Sequence, residues 1–215
     1  MKKRIIFFDL DGTVLDGLSS EKSFFLYLLR HGYIGLKQFF SYWLFIFRWL
    51  PTYKTQVFIK NKAYLTGLST TKITVLAKKF VTANMIKKIR PRLITRIRQH
   101  KKAGDLIVLL TGSPSFLAEI FAQQLGITEI QPTHCVVTKG KFTKHPPTQN
   151  PFAQEKLAIA QKFCAKHNIN ISDCAAYGNS IHDAILLSAV GQAVAVTPDK
   201  KLRKLANQRK WEIID

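Results

Sequence analysis

Carboxylates are missing from a long part of this chain. From Lys22 to Gly104 there is no Asp or Glu, while the same stretch holds 18 of the 33 lysines and arginines. The net charge is +20. A field of that sign attracts polyanions, whether nucleic acid, an anionic membrane surface or a phosphorylated substrate. Cysteine is scarce as well. Cys135, Cys164 and Cys174 are odd in number, widely spaced and in no CxxC pattern, so neither a disulfide framework nor a zinc site is indicated. A reducing, cytoplasmic setting is expected. Long apolar runs are absent too. The longest uncharged run of the aromatic segment, Gln38 to Phe47, has ten residues, and a spanning helix needs about twenty. The basic start MKKR is followed by only four apolar residues before Asp9, too few for a signal peptide. Internal repeats and low-complexity linkers are absent.

What remains is enough for a core, since 47% of the residues are hydrophobic. The length permits one domain, or one domain carrying an inserted subdomain. Ile5 to Phe8 is too short for a helix and fits a buried strand. Leu106 to Leu110 is a continuous apolar run of the kind found in central parallel strands. Further strands are expected at Cys174 to Tyr177 and Ala193 to Val196, with a hairpin around Lys139-Gly140-Lys141. Helices are expected between them: one carrying Phe116, Leu117, Ile120, Phe121 and Leu125, one opened by Asn150 and Pro151, one containing Asp183, and a last one from Asp199. Strands separated by helices predict an α/β fold with a doubly wound, Rossmann-like parallel sheet. Residues 1–15 and 92–215 form that core. Residues 16–91 read as an inserted helical cap, with helices at Lys54 to Leu65 and behind an N-cap at Ser69; a further helix is expected from Pro91 to Lys102, stopped by Gly104.

Within the cap, Glu21 to Leu50 is crowded with aromatics, and Gln38 to Leu50 is apolar almost all round, up to Pro51, which is expected to end it. Tryptophan and tyrosine favour the headgroup level of a bilayer, and flanking Lys37 and Arg48 add attraction to anionic lipid. The segment fits an in-plane membrane helix, or equally a cap helix buried against its neighbours.

The chemistry starts at Ile5 to Asp16, IIFFDLDGTVLD. In an extended chain residues i and i+2 point the same way. Asp9 and Asp11 can therefore share a pocket at the carboxyl end of a parallel strand, where open α/β sheets bind ligands. Two carboxylates that close repel unless a cation or a proton separates them, and a hard divalent ion such as Mg2+ suits them. The DLDGT string after an apolar strand resembles the nucleophile motif of the haloacid dehalogenase superfamily. The resemblance implies Asp9 as nucleophile, through an aspartyl-phosphate, and Asp11 as general acid and base. Thr111, Lys156 and the Gly178 to Asp183 run follow in the order of that superfamily's other motifs. By resemblance, Thr111 and Gly112 bind the phosphoryl group and Lys156 offsets its charge. Asp9, Asp11, Asn179 and Asp183 hold Mg2+.

One position departs from the family pattern. Asn179 stands where Asp is usual, so the metal site loses a charge and is expected to bind Mg2+ more weakly. The position of the cap and the tail from Gly178 resemble the phosphoserine-phosphatase branch. LLTGSP before a helix is similar to the phosphatidylglycerophosphate phosphatases of that branch. Together with the basic, aromatic cap, this implies a membrane lipid phosphomonoester and a peripheral place on the inner face of the membrane. A small soluble phosphometabolite such as phosphoserine is the alternative. A catalytically weakened binder of membrane or nucleic acid is a third reading, although no RNA-binding signature is present.

Overall fold

The computed structural model describes residues 4–215. Ile5–Phe8 (β1) is buried at all four positions and lies in the middle of a six-stranded sheet. Its neighbours are Leu106–Pro114 (β2) on one side and Ala175–Gly178 (β6) on the other. Glu129–Thr133 (β3) lies outside β2, and Gln192–Val196 (β7) and Glu212–Ile214 (β8) lie outside β6. The order is β3-β2-β1-β6-β7-β8 and every pairing is parallel. The predicted doubly wound α/β sheet is therefore present. Beside it, Val137–Thr138 (β4) and Lys141–Phe142 (β5) form the expected hairpin.

The period of two along the strands sorts the core. Ile6, Phe8, Ile107, Leu109, Ala175 and Tyr177 bury into one cluster. Ile5, Phe7, Val108, Leu110 and Ala176 bury into the other. Helices Gln154–Lys166 (α7), Ala184–Ala189 (α8) and Lys200–Arg209 (α9) cover the second face. Pro91–Lys102 (α5) and Ser115–Leu125 (α6) cover the first. A buried chain of hydrogen bonds ties β2, α5 and β6. His100 joins Asp105 through Nδ1 at 2.8 Å and the Tyr177 hydroxyl through Nε2 at 2.9 Å. Tyr177 in turn stacks on Phe8 at 4.3 Å.

Between β1 and α5 the chain is helical: Ser20–Arg30 (α1), Leu36–Tyr53 (α2), Val57–Lys60 (α3) and Thr70–Phe80 (α4). The segment leaves and returns through one narrow crossing. Leu15 bridges Ile89, the Asp16 amide donates to Lys88 O, and the Arg90 amide donates to Val14 O. Beyond the crossing, Phe24, Leu28, Ile73, Leu76 and Phe80 join the same buried cluster as Phe8 and Leu109. Among the described residues, no helix is long and apolar enough to cross a membrane.

Three local expectations change. Pro51 does not end α2, which runs to Tyr53. A proline removes one N–H and crowds the preceding turn, and the helix continues for only two residues beyond it. The single helix expected over residues 54–65 is broken. Lys54 takes φ 50° and Asn61 is extended, leaving two short 3-10 turns around α3. Asn61 is occupied elsewhere, since its side chain donates to Tyr42 O and accepts from the Ala63 amide. Asn150 does not cap α7. Its Oδ1 accepts from Thr133, and the helix starts at Gln154 after Ala153 at φ 47°. Two outer strands, β3 and β8, are short and mixed in polarity and carry no run that marks them.

Gly191 sits where β7 approaches the turn before β6. A Cβ there would lie 2.0 Å from the Ser172 carbonyl oxygen. Backbone cannot yield as a flexible side chain does. Gly191→Ala is expected to lower stability by about 1–3 kcal/mol, read as a lower urea midpoint with unchanged slope. An unchanged midpoint would contradict the close approach.

Candidate active site

Three neighbouring strand ends build the site. β1 stops at Phe8, and the Asp9 amide still donates to Tyr177 O at 3.0 Å. Residues 111 and 112 lie in the outer half of β2, and β6 stops at Gly178. The order reverses between β1 and β6, the kind of switch point where side chains from several strands face one crevice. A cavity of about 620 Å3 opens there. Asp9, Asp11, Thr111, Gly112, Lys156, Asn179 and Asp183 all line it. The sequence-predicted set is therefore brought into one space.

At its floor the contacts are direct. Lys156, in the first turn of α7, donates from Nζ to Asp9 Oδ1 at 2.8 Å and to Asp183 Oδ1 at 2.6 Å. All three side chains are buried. Burial pushes the Asp9 carboxyl up to about 6, with Asp183 adding to the rise and Lys156 opposing it. For Asp183, burial also acts upward, but Lys156 and the donors of Ser180 outweigh it and hold the group below its usual range. The Lys156 ammonium is raised, because its two carboxylates outweigh its desolvation. Asp183 Oδ2 accepts from the amides of Asn179 and Ser180 and from Ser180 Oγ, each at 3.1 Å. Asp183 is thereby fixed before any ligand arrives.

Asp9 Oδ2 accepts from Thr13 Oγ1 at 2.8 Å, and Thr13 lies 3.3 Å from Asn179 Oδ1. Gly12 permits this crossing. It has φ 81°, and a Cβ there would lie 2.1 Å from Asn179 Nδ2. Asp11 lines the same cavity but turns its carboxylate toward the helical segment. It accepts from the Ser20 amide at 2.6 Å, Ser20 Oγ at 3.2 Å and Ser113 Oγ at 2.5 Å. Thr111 Oγ1 accepts from the Ser113 amide at 3.0 Å, which pins the outer end of β2.

The donor set suits a hard cation. Asp9, Asp183 and the Asn179 side chain offer oxygen ligands, the kind a hard divalent cation takes. Charge at the site is modest. Among the described residues no group of three or more His, Cys, Asp or Glu side chains is arranged around one ion position.

The outer wall was not foreseen. Glu21 accepts from Lys62 Nζ at 2.5 Å and from the Tyr64 hydroxyl at 2.9 Å. Lys22, Phe25, Tyr42, Phe58 and Ile59 complete the wall. Lys60 reaches across to Glu155, one residue before Lys156, at 2.9 Å. A signal was available. Cations inside an acid-free stretch can find carboxylates only outside it. Lys60, Lys62, Arg90 and Arg96 pair with Glu155, Glu21, Asp16 and Glu212. Ser20 and Ser113 had no such signal, because serines are common in turns.

The electrostatics can be tested on the metal-free protein. Carboxyl 13C resonances should include one, absent in Asp9→Asn, with a midpoint near pH 6. Removing the ammonium in Lys156→Met should move that midpoint up, since Lys156 favours the ionised form. A midpoint near the ordinary value of about 3.9 would contradict the burial argument.

Comparison with known proteins agrees with this geometry. The family model of haloacid dehalogenase-like hydrolases matches residues 6–188. A Mycobacterium tuberculosis protein named phosphoserine phosphatase SerB1 is 31% identical over 156 residues, covering 73% of this chain. Those residues make up 51% of that relative, so the chain spans about half its length. A Bordetella pertussis protein of unknown function has a structure superposing with a TM-score of 0.85 at 23% identity, covering 100% of this chain and 99% of that one. A substrate-bound phosphoserine phosphatase superposes with a TM-score of 0.67 at 17% identity, covering 100% and 93%. With the sheet order, the strand-end site and the family match in agreement, the chain belongs to the haloacid dehalogenase-like hydrolase family.

Proposed function

We propose that the chain is a Mg2+-dependent phosphomonoester hydrolase in which Asp9 accepts the phosphoryl group. The supporting observation is the buried Asp9–Lys156–Asp183 chain, which aims a carboxylate into a cavity also lined by Asp11 and Thr111. An Asp9 oxygen attacks phosphorus as the bond to the leaving oxygen breaks, and Asp11 gives that oxygen its proton. Water then attacks the aspartyl-phosphate, its proton passes to Asp11, and phosphate leaves with Asp9 restored. A carboxylate nucleophile thus splits one difficult displacement into two easier ones. Ser20 and Ser113 hold Asp11 in place for both proton transfers. Thr111 and the Gly112 backbone bind phosphoryl oxygens, and Lys156 offsets their charge. Bound Mg2+ would neutralise phosphoryl charge, held by Asp9, Asp183 and the Asn179 amide oxygen. The helical segment 16–91 serves as the cap over this site.

For the substrate we infer a lipid phosphomonoester, such as phosphatidylglycerophosphate. Phe25, Tyr42, Phe58 and Ile59 give the cavity an apolar wall beside the cations Lys22 and Lys62. That combination suits a phosphate attached to a glycerolipid. One observation favours a small soluble substrate instead. Glu21 and Lys62 form a half-buried pair of opposite charge lining the cavity, a match for the amino and carboxylate groups of phosphoserine, and one relative carries that enzyme's name.

A panel of lyso- and diacyl phosphomonoesters, phosphoserine and an aryl phosphate distinguishes the two. Lipid phosphates should be released fastest, and Asp9→Asn should reduce every rate to background. Phosphoserine far ahead of all lipids would overturn the substrate assignment, and turnover surviving in Asp9→Asn would overturn the mechanism. Asn179→Asp adds a charge to the donor set. It should lower the Mg2+ concentration for half-maximal rate, on the order of tenfold. An unchanged requirement would contradict the charge argument.

A further inference from the structure

Helix α2 turns its apolar side outward. Leu36, Phe39, Phe40, Trp43, Leu44, Phe47 and Leu50 are all exposed, with Leu36 at 77%, Phe40 at 67% and Phe47 at 75%. At 100° per residue these positions share one side of the helix. The opposite side is already used. Phe45 and Ile46 are buried there, and Gln38 accepts from the Gly35 amide while donating to Thr66 O. The outward aromatics are ordered among themselves, with Phe39 edge-on to both Phe40 and Trp43 at 6.3 Å. Such a contiguous apolar patch marks an interaction site.

We propose that this face of α2 docks on an anionic phospholipid surface, the helix lying in the plane of the bilayer. Charge complementarity selects that occupant. Lys22, Arg30, Lys37, Arg48 and Lys54 are exposed, and no carboxylate occurs anywhere between residues 22 and 104. A second copy of the chain would bring like charges together around the patch. Nucleic acid would leave Leu36, Leu44 and Leu50 without an apolar environment. A bilayer interface accepts the apolar side into its acyl boundary and the basic flank among its headgroups. At 18 residues α2 is not apolar enough to cross.

The dock also has a direction. Tyr42 of α2 and the exposed Phe58 of α3 line the active-site cavity. One side of α2 thus borders the cavity while its apolar side faces outward, so a bilayer-seated α2 would place the cavity close to the membrane surface. Binding of this kind needs no turnover, so it stands or falls separately from the assignment of Asp9 and from the choice of substrate.

The test is co-sedimentation of the full chain with vesicles of phosphatidylcholine, with and without phosphatidylglycerol. Binding is expected only when phosphatidylglycerol is present, and it should weaken as salt rises. The combined variant Phe40→Ser, Trp43→Ser, Phe47→Ser replaces no cavity-lining residue and should bind at least about tenfold more weakly, with its thermal melting retained. Lys37→Glu with Arg48→Glu, which leaves the aromatics in place, should also lose binding. Four results would overturn the proposal: no binding to anionic vesicles, equal binding to neutral ones, binding untouched by the serine variant, or α2-dependent self-association or nucleic-acid binding in place of vesicle binding.

Discussion

One ammonium between two buried carboxylates organises this molecule's working end. Lys156 joins Asp9, at the tip of β1, to Asp183, beyond the tip of β6. Isolated, each of these charges would be strongly penalised in such a setting, and breaking a buried pair of this type typically costs about 3–5 kcal/mol. The arrangement therefore constrains everything around it. β1 must lie next to β6, α7 must begin with its first turn over the strand ends, and the Ser180 turn must close on Asp183. Burial lifts the Asp9 carboxyl, with the neighbouring Asp183 charge adding to the rise and Lys156 opposing it. Two carboxylates to one ammonium leave room in the electrostatics for a divalent ion.

The helical segment is governed by a different constraint. From residue 22 to residue 104 the chain has no carboxylate, so the cations of that stretch find partners outside it. Glu21, Asp16, Glu155 and Glu212 supply the partners. Lys62–Glu21 lies within the helical segment at the cavity wall, while Lys60–Glu155 joins that segment to the first turn of α7. Lys37 and Arg48 are exposed on α2 itself, beside its outward aromatics.

Much of the fold was legible because its signals are local. IIFF and LIVLL are apolar at every position, and only a doubly covered strand uses such a run. Ser69 and Asp199 sit at helix starts with side chains that accept from the amides three residues on. Asn150 misled for the same reason: its cap chemistry was real but was drawn away by Thr133 across the fold. β3 and β8 escaped notice because edge strands need little hydrophobicity. At the site, Asp9, Thr111, Lys156 and Asp183 were legible through motif order. The turning of Asp11 toward Ser20 and Ser113 was not, because it depends on how the helical segment sits over β2. The exposure of α2 was also beyond pattern reading. A helix apolar all round fits a buried and a bilayer setting equally, and only the packing of Phe45 and Ile46 decided which side was left open.

The most direct measurement of the central claim is chemical capture of the covalent state. Enzyme quenched during turnover and reduced with borohydride should yield homoserine in place of aspartate within the peptide that follows Arg4, at position 9. Conversion at Asp11 or at any other residue, or none at all during sustained phosphate release, would contradict Asp9 as the acceptor.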